Sequence, residues 1–268
     1  MNALVNGGNI HYVDSGSPHG TPVVFVHGFP FSHEMWKPQL DAIGRLYHTV
    51  AYDVRGHGMS DIGDGQYSIE SHVDDLFGLI DHLKLGKVII VGLSMGGYIT
   101  LRALEREQSR FLAAALCDTR ADTDTNDGKI RRFATVAAVK KSGSHAFAEN
   151  FVKAVFAPDT FTSNPEAIAT IRKIIEHTPP LSIAGTLLAL ASRTDTTGVL
   201  GSIRIPTLIL VGELDVTTPP DASRLMHDRI QGSEMHIIPG AAHMSNLENT
   251  REFNAHLLTF LNRVAPIH

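Results

Sequence analysis

Hydrophobic positions along the chain fall into two kinds of run. The short apolar stretches Val23–Val26, Thr49–Tyr52, Lys87–Val91, Leu112–Cys117 and Thr207–Val211 do not alternate with polar residues. That pattern predicts strands covered on both faces. Between them, Ser71–Leu85, Met95–Glu107 and Pro220–Ile230 carry apolar residues at helical spacing. In the first, Val73, Leu76, Phe77, Ile80 and Leu83 fall on one face. Alternating strands and helices with right-handed crossovers predict an α/β fold, a mostly parallel central sheet flanked by helices. The opening stretch Leu4–Val13, with Gly7-Gly8 at its middle, predicts antiparallel strands at one edge.

One segment breaks the alternation. Residues 119–203 contain no buried-strand pattern but four helical stretches, Gly128–Lys141, Ser144–Phe156, Pro165–His177 and Leu181–Ser192. Pro158, Asn164-Pro165 and Pro179-Pro180 punctuate them. The expected organisation is therefore a core made of residues 1–118 and 204–268, with an all-helical insertion at 119–203. The insertion's apolar faces carry Phe133 and Val136, then Phe147, Phe151 and Val155, then Leu187, Leu188 and Leu190. A lid over a ligand site must turn some apolar side chains toward the ligand. Phe147, Phe151 and Leu187 are the candidates for substrate binding; packing in the insertion's own core is the competing reading.

Composition narrows the class. The 268 residues include 23 Lys+Arg and 28 Asp+Glu, a formal charge of −5. No basic block offers a surface to nucleic acid or to an anionic membrane. The single cysteine, Cys117, excludes an internal disulfide and points to a reducing compartment. No Lys or Arg precedes Lys37, so a signal-peptide n-region is missing. The longest apolar run, Phe111–Cys117, is far shorter than a bilayer span. A cytoplasmic location is the expectation. The histidines show no metal-ligand spacing, and neither a metal nor a cofactor is expected.

The sharpest chemical signal is Gly92-Leu93-Ser94-Met95-Gly96-Gly97, which follows an apolar run and opens a helix. A tight strand–turn–helix elbow of this kind exposes a serine nucleophile in strained backbone geometry, and its glycines avoid collisions with neighbouring elements. A serine hydroxyl is a weak nucleophile and needs a base, which in turn needs an orienting acid. Asp215 falls just past the run Thr207–Val211. His243 follows the run Met235–Ile238 and precedes a last helix at Asn246–Leu261. Ser94, Asp215 and His243, each just past an apolar run, are the candidate catalytic residues. Asp118, past Leu112–Cys117, is the rival acid, and with Arg120 could instead hold the hinge of the insertion.

The turn Val26-His27-Gly28-Phe29-Pro30 can aim a backbone N–H inward. Pro30 has no N–H to give, so the N–H groups of Phe29 and Met95 are the expected oxyanion-hole donors. His27, Arg55 and His57 are expected to brace loops. Arg131, Arg132, Lys140, Lys141, Arg172 and Lys173 could supply a carboxylate-binding cluster in the insertion.

With the elbow, the His-Gly-Phe-Pro turn and Asp53-Val54-Arg55-Gly56-His57-Gly58-Met59-Ser60, the whole chain resembles the α/β-hydrolase family. The insertion stands where that family carries a cap. Within the family the sequence is most similar to capped carboxylesterases and enol-lactone hydrolases, and its His27–Pro30 turn is similar to that of cofactor-free perhydrolases. The resemblance implies a serine hydrolase whose partner is a small-molecule ester or lactone. Carbon–carbon bond hydrolysis or perhydrolysis on the same triad are the enzymatic alternatives. A small-molecule receptor on the same scaffold is the non-enzymatic one.

Overall fold

The computed structural model describes residues 1–17 and 19–266. Its strands are β1 (Asn2–Val5), β2 (Gly8–Gly16), β3 (Pro22–Val26), β4 (His48–Tyr52), β5 (Val88–Leu93), β6 (Phe111–Cys117), β7 (Thr207–Gly212) and β8 (Glu234–Ile238). They form one eight-stranded sheet in the order β1-β2-β4-β3-β5-β6-β7-β8. β1 and β2 pair antiparallel with their neighbours, and every later pairing is parallel. The edge hairpin turns on Asn6-Gly7 (φ 48° and 77°), one residue earlier than expected. Asparagine tolerates left-handed backbone, and Asn-Gly suits the two-residue turn that matches strand twist.

The helices are α1 (Lys37–Ile43), α2 (Ile69–His82), α3 (Met95–Glu107), α4 (Asn126–Val155), α5 (Thr160–Ser163), α6 (Pro165–His177), α7 (Pro180–Ala191), α8 (Pro220–Arg229), α9 (Ser245–Glu248) and α10 (Thr250–Val264). Alternate strand residues feed two separate cores. Val24 and Val26 pack with Val73, Leu76, Ile99 and Met226, from α2, α3 and α8. Val23 and Phe25 pack with Ile43, Phe253, Leu257 and Phe260, from α1 and α10. This two-sided covering is why the strands read as unbroken apolar runs.

Local chemistry moves several boundaries. α2 begins before Ser71 because Ser68 is its cap: the Ser68 hydroxyl accepts the Ser71 N–H, and Ser71 bonds back to the Ser68 backbone. The final helix is broken at Asn249, whose side chain accepts the Glu252 N–H and caps α10. The short α1 was not anticipated.

Between β6 and β7 lie α4 to α7. α4 comprises two helical arms meeting at Gly143, whose φ of 76° is open mainly to glycine. Ile183, Leu187 and Leu190 of α7 join the first core, whereas Ala148, Val152 and Ile171 join the second. Phe133 and Leu188, expected on apolar faces, remain 51% and 44% exposed. The chain's exit and return are tied together, since the Ala121 carbonyl accepts both the N–H and the hydroxyl of Thr196, each at 3.0 Å. No single helix among the described residues is long and apolar enough to cross a membrane.

Candidate active site

β3 has β4 on one side and β5 on the other, so successive connections leave it in opposite directions. Ligand crevices in such sheets open at the carboxyl ends of the strands beside that switch. Phe29 follows β3 there, and Ser94 follows β5. Ser94 adopts φ 54° and ψ −112° between the end of β5 and the start of α3, a conformation that costs a non-glycine residue about 1–3 kcal/mol. The end of β6 holds it: the Ser94 N–H donates to the Cys117 carbonyl (2.9 Å), and the Thr119 hydroxyl donates to the Ser94 carbonyl (2.8 Å). A Cβ at Gly96 would strike the Val26 carbonyl, and one at Gly92 would strike the Gly96 carbonyl. The two glycines thus permit β3, β5 and α3 to meet beneath the serine.

Asp215 and His243 come together from the loops after β7 and β8. The His243 Nδ1 lies 2.8 Å from Asp215 Oδ2. The carboxylate also accepts the N–H groups of Thr217 (2.8 Å) and Thr218 (3.0 Å) and the Thr218 hydroxyl (2.7 Å). Burial pushes the Asp215 carboxyl up, but His243 and the Thr218 hydrogen bonds outweigh it and hold the group below the usual carboxylate range. Glu248 fixes the His243 loop: Oε1 accepts the N–H groups of Ala242 (2.9 Å) and Met244 (3.3 Å), and Oε2 accepts the Ala157 N–H (2.7 Å) and the Thr160 hydroxyl (2.6 Å).

Asp118 is occupied elsewhere. It is fully buried and accepts the Gly212 N–H at 2.8 Å and the Ser245 hydroxyl. Burial, with the nearby Asp215 charge, raises its carboxyl well above the ordinary range. Arg120 pairs with Asp122 rather than with Asp118.

Beneath the Phe29 turn, His27 donates from Nδ1 to the Gly28 carbonyl (2.8 Å) and accepts the Val54 N–H at Nε2 (2.9 Å). Both ring nitrogens are consumed in joining the loops after β3 and β4. The His57 ring stands 5.4 Å from His27 and edge-on to Phe29 at 6.2 Å. His57 Nε2 and both nitrogens of buried His72 have no hydrogen-bond partner among the described residues. Burial depresses all three imidazoles, His27 to about 4 and His57 and His72 to about 3. Arg55 braces a different pair of elements, with two hydrogen bonds to Asp75 (2.8 and 2.7 Å) and one to the Val5 carbonyl (3.0 Å).

A cavity of about 360 Å³ brings Ser94, His243, Phe29 and Met95 together with Phe147, Phe151 and Leu187 of the helical segment. Asp215 lies behind His243, outside the lining. The Met95 N–H belongs to the first turn of α3, where amides lack intrahelical acceptors. Arg131 and Arg132 reach the cavity, joined by Arg120, Asp124 and Tyr98. Lys140, Lys141, Arg172 and Lys173 do not line it. A larger groove, about 610 Å³ and bordered by His33, Lys37 and Glu166, contains none of Ser94, Asp215 or His243. His11, His33 and Asp53 bring metal-ligand-type atoms within 4.8 Å of one another. Both Asp53 oxygens, however, already accept bonds: Oδ1 from His33 N and Nδ1 (2.7 and 2.8 Å), and Oδ2 from Met59 N (2.8 Å).

Sequence reasoning missed Thr218, Thr119 and Glu248 as supports of the site. Asp215-Val216-Thr217-Thr218 does carry a signal, since an aspartate readily accepts backbone N–H groups two and three residues on.

The family described as alpha/beta hydrolase fold matches residues 21–250. The chain is 30% identical to 3-oxoadipate enol-lactonase 1 of Acinetobacter baylyi, over 90% of this chain and 89% of that protein. It is 30% identical to a non-heme chloroperoxidase of Kitasatospora aureofaciens, over 96% and 98%. Among solved structures, a thermophilic esterase from Thermogutta terrifontis with malate bound superposes with a TM-score of 0.94 at 32% identity, covering 99% of this chain and 98% of that one.

Proposed function

Since the chain belongs to the α/β-hydrolase family, we propose that it hydrolyses small carboxylic esters or lactones through an acyl-enzyme on Ser94. The observation that carries this reading is one cavity lined by a serine at φ 54° and by a histidine whose far nitrogen is bonded to a buried carboxylate. In the proposed reaction Ser94 Oγ attacks the acyl carbon while its proton passes to His243 Nε2. The tetrahedral oxyanion accepts from the N–H groups of Phe29 and Met95, each such donor being worth about 2.7–4 kcal/mol at comparable sites. Collapse expels the alkoxide, which takes the proton from His243. Water, deprotonated by His243, then attacks the acyl-enzyme, and breaking the Oγ–acyl bond returns the acid and the free serine. Asp215 holds the imidazole tautomer and stabilises its charged form. Residues 119–203 act as the cap, excluding water and shaping the pocket.

A fluorophosphonate probe should label Ser94 stoichiometrically, and Ser94→Ala should lose both labelling and turnover of short-chain nitrophenyl esters. Labelling elsewhere, or an unchanged rate in Ser94→Ala, overturns the assignment. A second reading, with peroxide replacing water as acyl acceptor, draws support from the similarity to the chloroperoxidase. Peracid formation from acetate and hydrogen peroxide tests it.

A further inference from the structure

The polar wall of the cavity carries an excess of positive charge that the acyl-transfer chemistry does not use. Three guanidiniums, Arg120, Arg131 and Arg132, line it against one carboxylate, Asp124. That carboxylate is already shared. It binds Arg132, and its Oδ1 accepts from Arg193 Nη1 at 2.9 Å. Burial pushes the Asp124 carboxyl up, but the Arg132 hydrogen bond and the Arg193 and Arg132 charges hold it below the usual range. Arg193 is itself nearly buried, donates to the Leu190 and Asp122 carbonyls (both 2.9 Å), and stacks 4.5 Å over the Tyr98 ring. These contacts fix the Asp124–Arg132 pair in place. Arg120 pairs with Asp122 outside the lining. Arg131, by contrast, has no acidic partner among the described residues and still borders the cavity.

Arg131 is exposed at the rim of a half-open, partly apolar cavity, where its guanidinium is available to pair with an anionic ligand group. The group that suits it best is planar and anionic, because the guanidinium fork matches a carboxylate in geometry as well as charge. Phe29, Phe147, Phe151 and Leu187 occupy the space with it, so a short apolar spacer suits the stretch between the reacting carbonyl and the anion. We propose that Arg131, flanked by Arg120 and Arg132, forms an anion subsite, and that the substrates are short esters or lactones bearing a free carboxylate. The inference rests on the hydrolase reading above and specifies its substrate class.

The test compares mono-4-nitrophenyl glutarate with the neutral 4-nitrophenyl valerate. The intact protein should favour the anionic ester in kcat/KM by about tenfold or more, the scale of a charge-assisted hydrogen bond. That preference should shrink at high salt, as expected of a partly solvent-exposed cation. R131Q should lower the ratio of the two kcat/KM values by a similar factor, chiefly through KM for the glutarate, whereas R131K should keep most of the preference. Calorimetric titration of Ser94→Ala with glutarate measures the same subsite without turnover. If valerate is hydrolysed but the glutarate is not preferred, or neither R131Q nor R120Q lowers the ratio, the anion subsite is overturned and the esterase reading stands. If neither ester turns over and Ser94 is not labelled, the hydrolase reading falls; glutarate binding abolished by R131Q would then still support the subsite, and its absence would refute it.

Discussion

Asp215 illustrates how far a side chain's role is set by its hydrogen-bond partners. Its carboxylate meets three donors from Thr217 and Thr218 as well as His243, so it is ionised, immobile and aimed. Asp215→Asn should therefore leave the fold intact yet cost kcat on the order of 10⁴-fold, because the amide favours the wrong histidine tautomer. Asp118→Asn should cost far less activity, since its partners are Gly212 and Ser245; steady-state kinetics on one nitrophenyl ester ranks the two. Ser94 was legible in the sequence because close approach demands glycine at 92 and 96, which leaves a written trace. The clamp made by Glu248 was not legible. Its acceptors serve N–H groups at Ala157, Ala242 and Met244, brought together only by the completed fold. Glu248→Ala should strand these donors and destabilise the protein by about 1–3 kcal/mol or more, measurable as a lower urea midpoint.

At the level of elements, burial made the strands easy to read. β3, β5 and β7 are covered on both faces, and β6 is covered everywhere but at Leu112, and a strand that hardly meets water has few polar positions to confuse the pattern. Helix ends were harder, because one hydroxyl decides them: Ser68 rather than Ser71 opens α2. In the helical segment, periodicity marked the apolar faces but not what each would touch. Phe133 and Leu188 remain exposed, while Phe147, Phe151 and Leu187 reach the cavity. Truncating these last three to alanine, one at a time, should shift the preferred acyl chain from acetate toward octanoate esters while retaining Ser94 labelling. The change should be graded, since one methylene alters discrimination by about 1–3 kcal/mol. A parent-like chain-length profile in every folded variant would reassign them to packing alone.

For the molecule as a whole, the buried imidazoles beneath the Phe29 turn link stability to pH. In the unfolded chain they titrate near ~6.5, but in the fold His27 titrates at about 4 and His57 and His72 at about 3. Below pH ~6.5 the unfolded state binds more protons, so stability should be highest above that pH and fall toward pH 4. His72 alone withdraws on the order of 3 kcal/mol by pH 4. Because its ring nitrogens have no partner among the described residues, His72→Leu should be tolerated at pH 7 and should flatten the acid limb of a urea-midpoint titration. A second molecule-wide link runs through the aromatic cluster. Phe29 lies 6.1 Å from Phe147 and 5.9 Å from Phe151, and Phe151 lies 6.0 Å from Phe31. The rings lining the Ser94 cavity therefore also cement the helical segment to the sheet. Diversification of acyl preference through these phenylalanines must trade against folding, whereas Arg131, exposed and without an acidic partner among the described residues, can change without that penalty. Among descendants of this chain, new substrate charge is the cheaper innovation and new substrate bulk the dearer one.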